Sequence, residues 1–160
     1  MSLVRARAPE NLFIIATMNT SDRSISSIDF ALRRRFSFIE MYPNPNLLNG
    51  TVGGFQLADL LVNLNKIIID KIGRENQIGH SYFMELNDNI DPEDQFSQIF
   101  LNDVIPLLED YCFRKYDLLA ELLGNEIVDL PNLQIQEKMK ETDHLLQAIQ
   151  QRFELMNVED

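Results

Sequence analysis

Cysteine is nearly absent from the chain. The one thiol, Cys112, cannot form an internal disulfide. It lies in a helical pattern from Leu108 to Phe113, where a buried small hydrophobe is the expected role. Histidine is almost as scarce. His80 and His144 stand far apart, with no paired cysteines, and give no zinc signature. Basic residues are few: 14 Lys and Arg against 25 Asp and Glu, a formal net charge of -11. That balance argues against a phosphate grip on nucleic acid by this chain, because such a grip needs clustered Lys and Arg. No apolar run approaches a membrane span and no signal peptide is visible. Internal repeats and low-complexity segments are missing too.

What is there suits a soluble globular chain. At 160 residues, 45% hydrophobic and 24% charged, it is long enough for one domain with a real core.

The stretch Asn11–Met41, NLFIIATMNTSDRSISSIDFALRRRFSFIEM, organises the rest. Leu12–Ala16 is a continuous apolar run, which predicts a strand covered on both faces. It ends in the polar Thr17-Met18-Asn19-Thr20, at the edge where open α/β sheets bind ligands. Ile25, Ile28 and Leu32 fall at helical spacing, with Ser26 or Ser27 able to cap and Asp29 in the first turn. Arg33, Arg34 and Arg35 close that helix. Phe36-Ser37-Phe38 alternates as a second strand, stopped by Pro43 and Pro45.

Beyond it the pattern turns helical. Tyr42–Gly54, with its prolines, glycines and asparagines, reads as a boundary between subdomains. Leu57, Leu60, Leu61, Leu64, Ile67 and Ile68 predict an amphipathic helix ending near Gly73. Asn76–Asn89 is turn-rich. Asp91-Pro92 reads as a cap followed by proline at the first helical position. The helix after it, from Phe96 to Tyr111, should be kinked or split by Pro106. A shorter helix runs from a cap at Asp117 to a stop at Gly124. Glu126–Asn132 reads as a connector. Ile135, Met139, Thr142, Leu146, Ile149, Phe153 and Met156 then alternate steps of four and three, a coiled-coil-like seam on a terminal helix. So short a seam is marginal unless it docks, and the chain's own helices are the favoured surface.

TMNTSDRS followed by IDFALRRRFSFIEM resembles the second half of an AAA+ nucleotide-hydrolase module, most closely the McrB-type GTPase subunit of methylation-dependent restriction systems. A weaker resemblance runs through Ile78-Gly79-His80-Ser81-Tyr82-Phe83 and Ile105–Tyr111, which are similar to that family's helical lid. The resemblance implies a mainly α fold with a small β remnant: the C-terminal part of an AAA+ (P-loop NTPase) α/β core plus a lid. It divides the chain into a leader or loop (1–10), the sensor 1 strand, arginine-bearing helix and last strand of the core (11–45), the lid (46–132) and the C-terminal helix (133–160).

The same resemblance assigns roles. Asn19 becomes sensor 1, a fixed donor and acceptor beside the γ-phosphate. At least one of the three arginines becomes a finger reaching a neighbouring subunit's nucleotide, with Arg34 and Arg35 favoured over Arg33. Guanidinium suits the task because it stays charged and offers two donors to phosphate oxygens. Helical geometry turns consecutive positions by about 100°, so all three cannot face one phosphate. Asp22 and Arg23 belong to the signature as interface or coupling residues, or form a local pair that stiffens the loop. His80 belongs to the lid motif, though a histidine packing on aromatics is the plainer reading.

The chain departs from the family in having no GxxxxGK[ST] loop, and no apolar strand ending in paired acids ahead of Asn11. The expectation is therefore a C-terminal fragment, inactive alone, and Met1-Ser2-Leu3 resembles a vector-derived scar. GTP or ATP with Mg would be held in the full-length parent, and none tightly here. The implied partners are further copies in a ring, a nuclease subunit, and DNA through regions outside this chain. The implied location is cytoplasmic. The alternative is a standalone helical interaction module that uses the Ile135–Met156 seam.

Overall fold

The computed structural model describes residues 9, 11–18 and 30–156. They fall in two compact units, residues 1–36 and 37–160.

In the first unit the described backbone from 12 to 18 is not a strand, and its side chains face water. Phe13 is 89% and Ile15 96% exposed. The expected Phe36–Phe38 strand is missing as well. The reason is the same for both. A strand exists by pairing its N–H and C=O groups with a neighbour, and no described segment runs beside either. The expected helix is seen only at its end, as the four-residue α1, Phe30–Arg33. Its proposed caps Ser26 and Ser27, and Ile25 and Ile28, lie outside the described residues.

The second unit is mainly helical. It opens with a hairpin, β1 (Thr51–Val52) against antiparallel β2 (Phe55–Gln56). The two-residue loop is Gly53-Gly54, both at positive φ, 53° and 85°. That is the backbone a tight hairpin loop demands, and glycine reaches it without a Cβ clash. The composition of 42–54 therefore encodes a turn whose flanks are core. Val52 and Phe55 are fully buried.

Helix α2, Leu57–Ile72, follows at once and buries Leu57, Leu60, Leu61, Leu64 and Ile68. It stops at Gly73, φ 102°, whose N–H bonds the Ile68 carbonyl at 3.1 Å. Short 3₁₀ turns at Arg74–Asn76, His80–Tyr82 and Met84–Leu86 fill the turn-rich span.

Helix α3, Glu93–Ile99, starts one residue later than read from sequence, with Pro92 rather than Asp91 at the cap position. It continues without a break through a widened π turn, Phe100–Val104, into α4, Ile105–Tyr111. Pro106 has no N–H for the fourth carbonyl back and its ring crowds that carbonyl. Opening the preceding turn removes the crowding while the chain stays helical.

Helix α5, Tyr116–Leu123, ends at Gly124, φ 87°. The expected connector after it is a second antiparallel hairpin, β3 (Val128–Asp129) with β4 (Gln134–Ile135). Its turn is tied by Asp129, whose Oδ1 accepts the Asn132 N–H at 3.2 Å and whose Oδ2 accepts from Asn132 Nδ2 at 2.8 Å. A 3₁₀ turn at Glu137–Lys140 precedes α6, Thr142–Arg152. The terminal helix is thus shorter than its seam suggested, since Ile135 sits in a strand and Met139 in the 3₁₀ turn.

One core joins these pieces. Phe96 stands at its centre, edge-on to Phe55 (centroids 6.0 Å) and stacked with Phe83 (6.0 Å) and Phe100 (5.6 Å). From α6, Leu145, Leu146, Ala148 and Ile149 bury into the same unit. Polar ties hold that helix: Thr142 Oγ1 donates to Asp94 at 2.7 Å and Asn63 Nδ2 to the Phe153 carbonyl at 2.9 Å.

Candidate functional site

The arginines come first. Arg33 closes α1, and Arg34 and Arg35 form the turn after it. All three are exposed, and none is ion-paired with another described residue. A guanidinium carries planar donors that match the oxygens of a phosphate or carboxylate. Asn19, Asp22 and Arg23 lie outside the described residues.

In the second unit the lid-like motif is held from beneath. Asn65, buried on α2, grips Ile78 by both its backbone N–H and its backbone carbonyl. Its Oδ1 accepts the Ile78 N–H at 2.7 Å and its Nδ2 donates to the Ile78 carbonyl at 2.9 Å. Ile78 is itself fully buried. This sets where Gly79 and His80 emerge.

His80 opens its 3₁₀ turn half-buried, and its Nδ1 accepts the backbone N–H of Asn44 at 3.2 Å. Its observed partner is thus a backbone amide. Asn44 also caps the 3₁₀ turn Pro45–Leu47, its Oδ1 accepting the Asn46 N–H at 3.1 Å. Beside it the Arg74 guanidinium lies 4.1 Å from the centroid of the Tyr42 ring. The Tyr42 hydroxyl donates to Glu40. An exposed cation–π contact of this kind contributes about 0.5–1 kcal/mol.

Tyr42, Asn44, Asn65 and Arg74 were not singled out by sequence reasoning. Nothing local marks them, because His80 and Asn44 lie 36 residues apart.

Between Pro43 and Pro45 on one side and Leu61, Val62 and Ile69 of α2 on the other lies an open groove of about 380 Å³. A second hollow, about 120 Å³, lies by Glu126, Lys138 and His144. It is spanned by an ion pair from Lys138 to Glu126, and His144 pairs with Glu141 at 3.0 Å. Among the described residues no group of three or more His, Cys, Asp or Glu could hold a metal ion.

Burial raises three titrating groups, Cys112, Tyr82 and Tyr116. Desolvation pushes the Cys112 thiol up to about 11. The Tyr82 hydroxyl is raised by burial first, then by the negative charges of Tyr111 and Asp103. The seam proposed for a partner helix is occupied internally. Met139, Leu146, Ile149 and Phe153 are buried in the chain's own core, and only Met156 stays exposed. Among the described residues no helix is long and apolar enough to cross a membrane.

Comparison with known proteins identifies residues 56–120 as matching the α-helical lid domain of McrB. Over 124 residues the chain is 40% identical to the type IV methyl-directed restriction enzyme EcoKMcrB subunit of Escherichia coli K12. The match covers 68% of this chain and 27% of that protein, so the chain spans about a quarter of its relative. No solved structure matches it.

Proposed function

This chain is related to the McrB-type restriction subunits and carries their helical lid, and from that premise we propose that it is the sensor, arginine and lid portion of a nucleotide-driven DNA restriction motor. The observation that carries the reading is the arginine turn. Three exposed guanidinium groups with no carboxylate partner among the described residues follow TMNTSDRS and precede a McrB-type lid on one chain.

In this reading Arg34 or Arg35 meets the nucleotide of a neighbouring subunit, and Asn19 orients groups at the γ-phosphate of its own. Asp22, Arg23 and Arg33 lie at the subunit contact. Among the described residues no donor set fits a nucleotide or Mg site. The chain contains no phosphate loop, and its described acids do not cluster. GTP, or ATP in a related motor, belongs with segments of a longer subunit. The work is done by a ring of such subunits in the cytoplasm, coupled to a nuclease, with DNA held by regions outside this chain.

The test is Arg34→Ala and Arg35→Ala, separately, in the longer protein carrying this chain together with a phosphate loop. Loss of a finger lowers turnover by about 10³-fold or more. Unchanged turnover in both variants overturns the assignment.

A further inference from the structure

We propose that Asn49-Gly50 is a self-modification site held shut by Asn87, and that release of the Asn87 side chain lets Asn49 convert to aspartate and isoaspartate.

The chemistry is intramolecular. The backbone nitrogen of Gly50 attacks the side-chain carbonyl carbon of Asn49. A bond forms from that nitrogen to Asn49 Cγ and the Cγ–Nδ2 bond breaks. The amide leaves as ammonia, carrying the proton that the Gly50 nitrogen gives up. Water then opens the five-membered imide at one of its two carbonyls. Opening at Cγ leaves aspartate. Opening at the Asn49 backbone carbonyl leaves isoaspartate, with the chain running through the side chain. Water is the one co-reactant, and the two reacting groups sit on adjacent residues. Glycine after asparagine is the favourable case, since no Cβ shields its nitrogen or limits its rotation. Asn49-Gly50 is the one such pair in the chain.

The leaving group is accessible. Asn49 is exposed, and among the described residues its side-chain amide has no hydrogen-bond partner. The nucleophile is not. Gly50 is buried, and Asn87 lies against it. Asn87 Oδ1 accepts the Asn49 N–H at 3.0 Å and the Gly50 N–H at 3.2 Å, while its Nδ2 donates to the Leu47 carbonyl at 2.9 Å. To attack, the Gly50 nitrogen must lose that proton and turn toward Cγ, and either change breaks its bond to Asn87.

Packing also explains why the reactive pair is kept. A Cβ at Gly50 would lie 3.0 Å from Leu57 Cδ1 and from the Leu86 carbonyl oxygen, and 3.1 Å from Asn87 Cα. Any other residue there must push the core aside. The Gly50 carbonyl meanwhile accepts the Leu57 N–H at 3.0 Å, at the first residue of α2. Isoaspartate adds one backbone carbon just ahead of that contact, so conversion would disturb the foot of α2.

The experiment incubates the 160-residue chain, Asn87→Ala and Asn87→Asp in mildly alkaline buffer, with the parent unfolded in urea as the unprotected reference. Peptide mass spectrometry reads the amide-to-acid mass gain at residue 49, and circular dichroism reads whether each variant is folded. The folded parent should convert at least about tenfold more slowly than the unfolded chain, and Asn87→Ala should recover most of that difference. Asn87→Asp keeps an acceptor for both N–H groups and should stay near the parent rate.

A folded parent that converts as fast as the unfolded chain overturns the protection. A folded Asn87→Ala at the parent's rate overturns the role of Asn87. If Asn87→Ala does not fold, amide hydrogen exchange of the parent decides. The Gly50 amide should then exchange at least about tenfold more slowly than in the unfolded chain. A Gly50 amide without protection overturns the proposal.

Discussion

Asn65 and Ile78 form a closed pair: one buried side-chain amide satisfies both the N–H and the carbonyl of one buried residue, at 2.7 and 2.9 Å. Residues 73–89 contain only short 3₁₀ turns. They have little periodic hydrogen bonding to fix them, and this pair supplies the anchor.

Asn65→Ala strands both Ile78 backbone groups away from water. Each buried unsatisfied group costs about 1–3 kcal/mol, so the substitution should destabilise the chain by about 3 kcal/mol. Urea unfolding followed by circular dichroism measures it. A loss under about 1 kcal/mol would mean that water replaces the amide.

Phe96 touches three other rings, and its removal should be among the costliest single changes in the core. Phe96→Ala should cost about 3–5 kcal/mol, while Phe96→Leu, which refills most of the volume, should cost clearly less. Thermal denaturation of the two variants side by side tests the order. Equal losses would show that ring geometry, not filled volume, holds the site.

Arg152 ties the last helix to the end of α5. Its Nε donates to the Leu122 carbonyl at 3.1 Å and its Nη2 to the Glu121 carbonyl at 2.5 Å. Arg152→Ala should cost about 1–2 kcal/mol by freeing two terminal carbonyls of α5. Gly124→Ala meets the same side chain, since its Cβ would lie 3.0 Å from Arg152 Cδ, and it must also hold φ at 87°. The two substitutions share a contact, so their costs should not add. A double-mutant cycle in urea reads the coupling.

Cys112 predicts an alkaline weakness. Its thiol is raised by burial to about 11 in the folded chain, from an ordinary value of 9.0. Between those two values the unfolded chain has lost the proton and the folded chain keeps it. Stability should therefore be intact below pH 9 and fall by roughly 2–3 kcal/mol as pH rises to 11. The hydroxyls of Tyr82 and Tyr116, also raised, add in the same direction. Cys112→Ala should be less stable at pH 7 but lose less between pH 9 and 11. An identical slope in both proteins would remove Cys112 as a cause.

How much was legible in advance varied by element. Helix α2 and helix α5 could be read because each has a buried face at a period of three to four and a glycine stop, Gly73 or Gly124, at positive φ. The lid identity was legible in Ile78–Phe83 and Ile105–Tyr111, and the match over residues 56–120 agrees with it. The two hairpins were not seen. Their strands are two residues long, too short for alternation to register, although Gly53-Gly54 carried the turn signal.

For the candidate site, sequence could name the arginines but not their surroundings. Residue type alone established that Arg33–Arg35 remain charged and that one cysteine makes no internal bridge. Local periodicity established most of the helices, because side-chain spacing along a helix is a short-range property. Tertiary structure decided what depends on pairing between distant segments. Among the described residues it left Leu12–Ala16 without a strand partner, and it folded the seam residues of 135–153 onto the chain's own core. It also set Tyr42 against Arg74 and Asn44 against His80. A hydrogen bond or ring contact across tens of residues depends on where the core brings two backbones together, and no local pattern records that.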